Sequence, residues 1–140
     1  MNKLLILGTI AAAVALGGCQ TDKAAPQQPE AKQLSQAEMV ALLSGNTEKW
    51  DKGAGYYAAD GTMIAVWDKK EVTGKWRVRD DGILCTDIKA WFKDGKEHCK
   101  WRYSDGGANV LTYDMERKKS LPIPRESYQN GNRICFVTVC

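Results

Sequence analysis

The chain is poor in the residues on which most metal and catalytic chemistry depends. Its 140 residues include one histidine, His98. A metal site needs several imidazole, thiolate or carboxylate donors converging on one point. His98 and Cys99 are adjacent, so on a strand they face opposite ways, and no Cys-x-x-Cys spacing occurs. We expect neither a metal nor a cofactor. No Gly-x-Ser-x-Gly is present, and the lone histidine follows a charged turn (Lys93, Asp94, Lys96, Glu97), where a base is solvated rather than set against a nucleophile. Asp60, Asp80, Asp81, Asp94 and Asp105, the carboxylates a paired acid–base mechanism would draw on, all stand in turns, where short polar side chains bond their own backbone. An enzyme is not expected. One-sided charge is lacking as well: 20 Lys and Arg face 17 Asp and Glu. Removal of Lys3 with a signal segment leaves the rest near neutral, which argues against a nucleic-acid binder.

The apolar run Leu4 to Leu16 is too short to span a bilayer comfortably. Lys3 gives it a positive start, and Leu16-Gly17-Gly18-Cys19 follows. This looks like a bacterial lipoprotein signal: small residues suit an extended backbone in a peptidase, and the Cys19 thiol takes lipid. Residues 1–18 are expected to be a signal peptide. Residues 19–34 are expected to be a lipidated Cys19 and a flexible tether, since Gln, Pro and Ala without an apolar period cannot build a core. Residues 35–140 then form one domain. Several acyl chains, palmitate among them, would hold the protein stably on a membrane. Gln20, where Asp would resemble an inner-membrane retention signal, favours the outer membrane, facing the periplasm.

Four further cysteines, Cys85, Cys99, Cys135 and Cys140, are an even set in an exported chain and point to disulfides. Of the three possible pairings, Cys85 with Cys99 fits a segment that folds back as a hairpin. Cys135 and Cys140 flank an apparent strand, Phe136-Val137-Thr138-Val139, and would lie about 17 Å apart on opposite faces if it stays extended. They can join only if the C-terminal segment turns.

Ser35-Gln36-Ala37-Glu38 fits a capping box. With Met39, Val40, Leu42, Leu43 and then Gly45, it predicts a short helix from Gln36 to Ser44. From Gly55 the pattern becomes β. Strands are expected over Gly55–Ala59, Thr62–Trp67, Thr73–Arg79, Ile83–Ala90, His98–Tyr103, Asn109–Asp114 and Arg133–Val139. Turns at Asp60-Gly61, Asp80-Asp81-Gly82, Asp94-Gly95 and Asp105-Gly106 separate them. Met115 to Gly131, with Pro122, Pro124 and a basic run, reads as loop with at most one short edge strand. The expected fold is mainly β: a short N-terminal helix and an antiparallel meander of six to eight strands, curled into a small barrel or sandwich.

On a period of two, Trp76 and Val78 share one face, and Lys75, Arg77 and Arg79 the other. Lys100-Trp101-Arg102-Tyr103 alternates likewise. A tryptophan-rich inner face and a basic outer stripe of Arg77, Arg79, Lys100 and Arg102 follow, and that stripe suits an anionic envelope component or protein. An ordinary solvated sheet face has the same pattern. One conflict stands: Cys99 shares parity with Trp101, whereas Cys85 shares parity with Asp87, so a bulge near either is expected. Trp50, Trp67 and Trp91 lie near strand ends or in loops, and any left exposed marks a binding edge.

Leu43-Ser44-Gly45-Asn46-Thr47, Tyr56-Tyr57 with Asp60-Gly61-Thr62, Gly74-Lys75-Trp76-Arg77-Val78, Gly82-Ile83-Leu84-Cys85 and Cys99 are similar, in this order, to an uncharacterised family of small exported bacterial proteins, domain-of-unknown-function family nine-nine-five. The resemblance runs from Leu42 to Tyr113 and implies no particular activity. Gly74-x-Trp76 also resembles lipocalin-type barrels, where such a Trp closes the base near the first strand. Here it comes third, so a ligand cup is an analogy of fold alone.

The reading that follows is a lipid-anchored periplasmic protein, bound to the membrane through its N-terminal lipid, with a non-enzymatic binding or accessory module. A lysozyme or protease inhibitor is the alternative and requires an exposed loop within Met115–Gly131. A small enzyme is the second and requires a pocket that gathers His98 with a buried carboxylate.

Overall fold

In the computed structural model, residues 31–119, 122–135 and 138–139 are described. Cys19 and Cys140 lie outside them, and with these the lipidation site and the pairing of Cys135 with Cys140. The one α-helix among the described residues, α1 (Gln36–Leu43), starts as its sequence dictates. Ser35 Oγ accepts from the Glu38 amide at 3.2 Å, and Glu38 Oε2 accepts from the Ser35 amide at 2.8 Å. These bonds, with Lys32 nearby, hold the Glu38 carboxyl down at about 2. Gly45 just beyond the helix has φ +75°, the left-handed conformation that suits glycine. α1 buries Met39 and Leu43 completely, worth about 1.5–3 kcal/mol each.

The strands are β1 (Lys32–Gln33), β2 (Asn46–Trp50), β3 (Gly53–Tyr57), β4 (Thr62–Trp67), β5 (Lys70–Val78), β6 (Leu84–Asp87), β7 (His98–Ser104), β8 (Asn109–Asp114), β9 (Ile123–Pro124), β10 (Tyr128–Asn130), β11 (Ile134–Cys135) and β12 (Thr138–Val139). The first ten form one sheet in the order β10-β2-β3-β4-β5-β6-β7-β8-β9, with β1 also on β7. All its pairings are antiparallel. The sheet curls into a nearly closed barrel.

Several expectations need correction. The fold begins before residue 35: β1 pairs with β7, and Leu34 lies in the core. The β pattern starts before Gly55: β2 is a strand although it is too polar to show a hydrophobic period. Met115–Gly131 contributes two short strands rather than one. A 3-10 turn at Arg125–Ser127 joins them, and Tyr128–Asn130 pairs with β2. The C-terminal strand is not continuous: β11 and β12 pair with each other and lie against β3 and β4. The β3–β4 turn is longer than two residues, with Asp60 Oδ1 accepting from the Thr62 amide at 2.8 Å and Gly61 at φ +86°.

The connections β3–β4, β5–β6 and β7–β8 lie at one end of the barrel, which α1 closes. Gln36 Nε2 donates to the Val78 carbonyl, and Gln33 Nε2 to that of Asp81. Trp76 is buried there, edge-on to Tyr57, and its indole N–H donates to the Ala58 carbonyl at 2.8 Å. The opposite end carries the turns after β2 and β4 and the long connection from Ile88 to Glu97. There the closure is incomplete. β9 reaches only Asn109 and Val110 of β8, and β10 reaches only Asn46–Glu48 of β2. Beyond them no strand pairing among the described residues joins β8 to β2.

Candidate functional site

Each inner-facing position follows from the register. Glu48 lies opposite Gly55 and Tyr128, Met63 opposite Tyr57 and Gly74, Trp76 opposite Thr86, Thr86 opposite His98, Leu84 opposite Lys100, and Arg102 opposite Thr112. Between these walls, toward the incompletely closed end, lies a cavity of about 440 Å³. Its entrance is aromatic: Trp50 stands 6.3 Å from Trp67 and 6.1 Å from Trp91, ring centre to ring centre, and Phe92 stacks on His98 at 3.5 Å. Trp67 is 44% exposed. Met63, Leu84 and Ile88 add apolar wall. Glycine makes room for the entrance: a Cβ on Gly55 would lie 2.8 Å from the Trp50 ring and 2.7 Å from Met63 Cε, so the indole can lie across the strand only because this residue has no side chain.

The deeper wall is polar. Glu48 and Arg102 are both buried and form an ion pair at 2.9 Å. Glu48 Oε2 also accepts from the Tyr57 hydroxyl at 2.7 Å, and Arg102 Nη1 donates to the Tyr128 hydroxyl at 2.7 Å. Burial and the neighbouring Glu48 charge push the Tyr57 hydroxyl well above its usual range, and burial raises that of Tyr128. Burial alone would lower Arg102, but Glu48, Tyr128 and Tyr57 together outweigh it and the guanidinium stays charged. The cluster ties β7 to β2 and β10 across the gap that β9 leaves. Glu48 Oε1, Arg102 Nε and Thr112 Oγ1 are buried without a protein partner, positions suited to a water or a polar ligand atom.

These contacts overturn the expected facing of β7. Lys100 and Arg102 belong to the inner wall, and Trp101 and Tyr103 to the outside. There Arg117 stacks over Trp101 at 4.3 Å and donates to the Tyr103 hydroxyl. The basic outer stripe is therefore halved. Arg77 and Arg79 are exposed, but each is paired, with Glu97 and Asp81 respectively. The cysteine conflict vanishes with the inversion: Cys85 and Cys99 are direct cross-strand partners on the outer face and form a disulfide with no bulge. Glu97 lies beside them, but the disulfide leaves no thiolate to bind a metal.

The Lys100 side chain is exposed and makes no salt bridge or hydrogen bond among the described residues. Its surroundings, and then Arg102, lower its pKa, while Glu48 and Asp114 act in the opposite sense. His98 Nε2 lies 3.3 Å from Asp94 Oδ1 in the exposed turn. Sequence reasoning singled out His98, Lys100 and Arg102 without their cavity. It missed Glu48 and Tyr128, for which a polar strand and a proline-rich segment give no signal.

No curated protein and no solved structure matches the chain. The family model described as "Protein of unknown function (DUF995)" matches residues 4–111. That span includes both cysteines of the disulfide, the aromatic entrance and the Glu48–Arg102 pair, and the chain belongs to this family.

Proposed function

We propose that this chain is a lipid-anchored envelope protein, held by Cys19 on the periplasmic side of the outer membrane, whose barrel is a non-enzymatic module that binds a small amphipathic molecule. The cavity carries this reading. Its volume falls within the ~300–1,000 Å³ usual for small-molecule sites, and it has the usual make-up of apolar and aromatic wall with few polar groups. The inhibitor alternative loses support, because residues 122–130 are built into the barrel and Arg117 is drawn onto Trp101.

The enzymatic alternative retains one observation: His98 and the buried Glu48 line the same cavity. Glu48 is neutralised by Arg102 and held by Tyr57, however, and the Thr86 hydroxyl is turned to the His98 carbonyl at 3.4 Å rather than to a base. A binding site is the better account.

The test is a titration of the chain from residue 19 onward, carrying Cys19→Ser to keep it in solution, with an uncharged naphthylamine dye. Saturable binding that quenches tryptophan and is lost in Thr86→Trp, which fills the cavity, is the expected result. Binding unchanged by Thr86→Trp, or none, would sink the reading. The anchor is tested separately: palmitate labelling and membrane retention of the full chain should both disappear in Cys19→Ser.

A further inference from the structure

The charges along the cavity wall point to the kind of ligand. Glu48 and Arg102 cancel each other at 2.9 Å. The His98 ring is stacked on Phe92 and faces Asp94. Lys100 remains, one step along β7 from each of them and directly across the strands from Asp114. Asp114 does not neutralise it by contact, since its Oδ1 accepts from the Glu116 and Lys118 amides at 2.9 Å each. The Lys100 side chain is exposed at the open side of the cavity, and a cation set beside apolar walls attracts an incoming anion more strongly than one in open water.

Position adds to charge. Inner-facing residues on a strand are about 7 Å apart, so Lys100 lies one such step inside His98 and one short of Arg102. An acid group bonded to Lys100 leaves the rest of its molecule against Trp50, Trp67, Trp91 and Phe92. The barrel is also open beside Lys100, where β8 beyond Val110 lacks a pairing to β2.

We infer that the cavity binds an anionic amphiphile, an apolar body with one terminal carboxylate or phosphate, with Lys100 as the anchor for its acid group and the tryptophan triad as the seat for its body. This rests on the proposal that the cavity is a binding site and specifies what it takes. Electron-rich tryptophan faces also attract cations, so the opposite sign of ligand is the competing outcome.

The experiment compares four probes of equal chain length, decanoate, decyl phosphate, decanol and decyltrimethylammonium. Each is titrated calorimetrically below its micellar concentration into the same Cys19→Ser chain, into Lys100→Met and into Lys100→Arg. Decanoate or decyl phosphate should bind about ten- to a hundredfold tighter than decanol, the range of one charge-assisted hydrogen bond. Lys100→Met should reduce the acid to the level of decanol while leaving decanol itself unchanged, and Lys100→Arg should restore most of the difference. The preferred acid identifies the head group. Equal binding of acid and alcohol, tighter binding of the ammonium, or an acid preference that survives Lys100→Met would overturn the inference while leaving the cavity a binding site. If none of the four binds, both fall together.

Discussion

Replacing Arg102 by Met should be among the most damaging single substitutions in this chain. The guanidinium is 5% exposed and its partner Glu48 fully buried. Without Arg102, Glu48 Oε2 keeps only the Tyr57 hydroxyl, Oε1 gains nothing, and the Tyr128 hydroxyl loses its donor. Breaking a buried pair by removing one partner costs about 3–5 kcal/mol, because the remaining charge stays in a poorly solvating interior. Total stability is typically about 5–15 kcal/mol, so the variant should lie near the edge of folding. Replacing both residues by Met should cost far less, since two apolar chains of similar length fill the same space without a stranded charge. Urea unfolding followed by tryptophan fluorescence gives both numbers, and unchanged m-values would show that the barrel persists. A cost below about 1 kcal/mol for Arg102→Met, or a double variant as unstable as the two singles added together, would refute the reasoning.

Three further outcomes are expected. Removing the Cys85–Cys99 disulfide, which spans a sequence separation of 14, should cost about 3 kcal/mol by its effect on the unfolded chain, measured as the difference between Cys85→Ala/Cys99→Ala and the oxidised wild type in urea. Ser35→Ala removes the acceptor for the Glu38 amide and should cost about 1 kcal/mol, with faster amide exchange confined to the start of α1. Decanoate affinity should fall as pH rises through the Lys100 pKa, which desolvation and then Arg102 hold below the usual 10.5, with Glu48 and Asp114 opposing them. Lys100 binds the anion only when protonated, so the loss begins before free lysine would titrate; Lys100→Met should show no such dependence. Stability of the unliganded protein has the opposite sign: the unfolded chain holds the Lys100 proton to higher pH than the folded one, so stability rises across that window.

The legible parts of the fold were those with local causes. The capping box, Gly45 and the glycine turns at 61 and 82 are decided within a few residues, and all occur where the residues ask for them. Strands with alternating apolar residues, such as Thr62–Trp67 and Asn109–Asp114, were equally plain. β2 was not, because its burial follows from its partners: Glu48 is tolerable inside only where Arg102, Tyr57 and Tyr128 converge on it. β5 began earlier than expected because Asp68 and Lys69 both adopt positive φ and make a tight turn without glycine.

The sequence by itself determined a mainly β chain, a capped helix after Ser35, and the turns between strands; it favoured Cys85 with Cys99 among three pairings without deciding it. Each depends on nearest neighbours or on a period along one strand. Only the tertiary structure decided which face of β7 is inside. Alternation divides residues into two sets but does not label them, and hydrophobicity suggested Trp101 and Tyr103 for the core. The disulfide places Cys99 on the outer side with Cys85, a buried carboxylate from β2 makes Arg102 acceptable inside, and Arg117 covers Trp101 outside. Lys100 shares that face with Arg102, and the choice of face is what gives the cavity wall a cation without an ion-pair partner among the described residues.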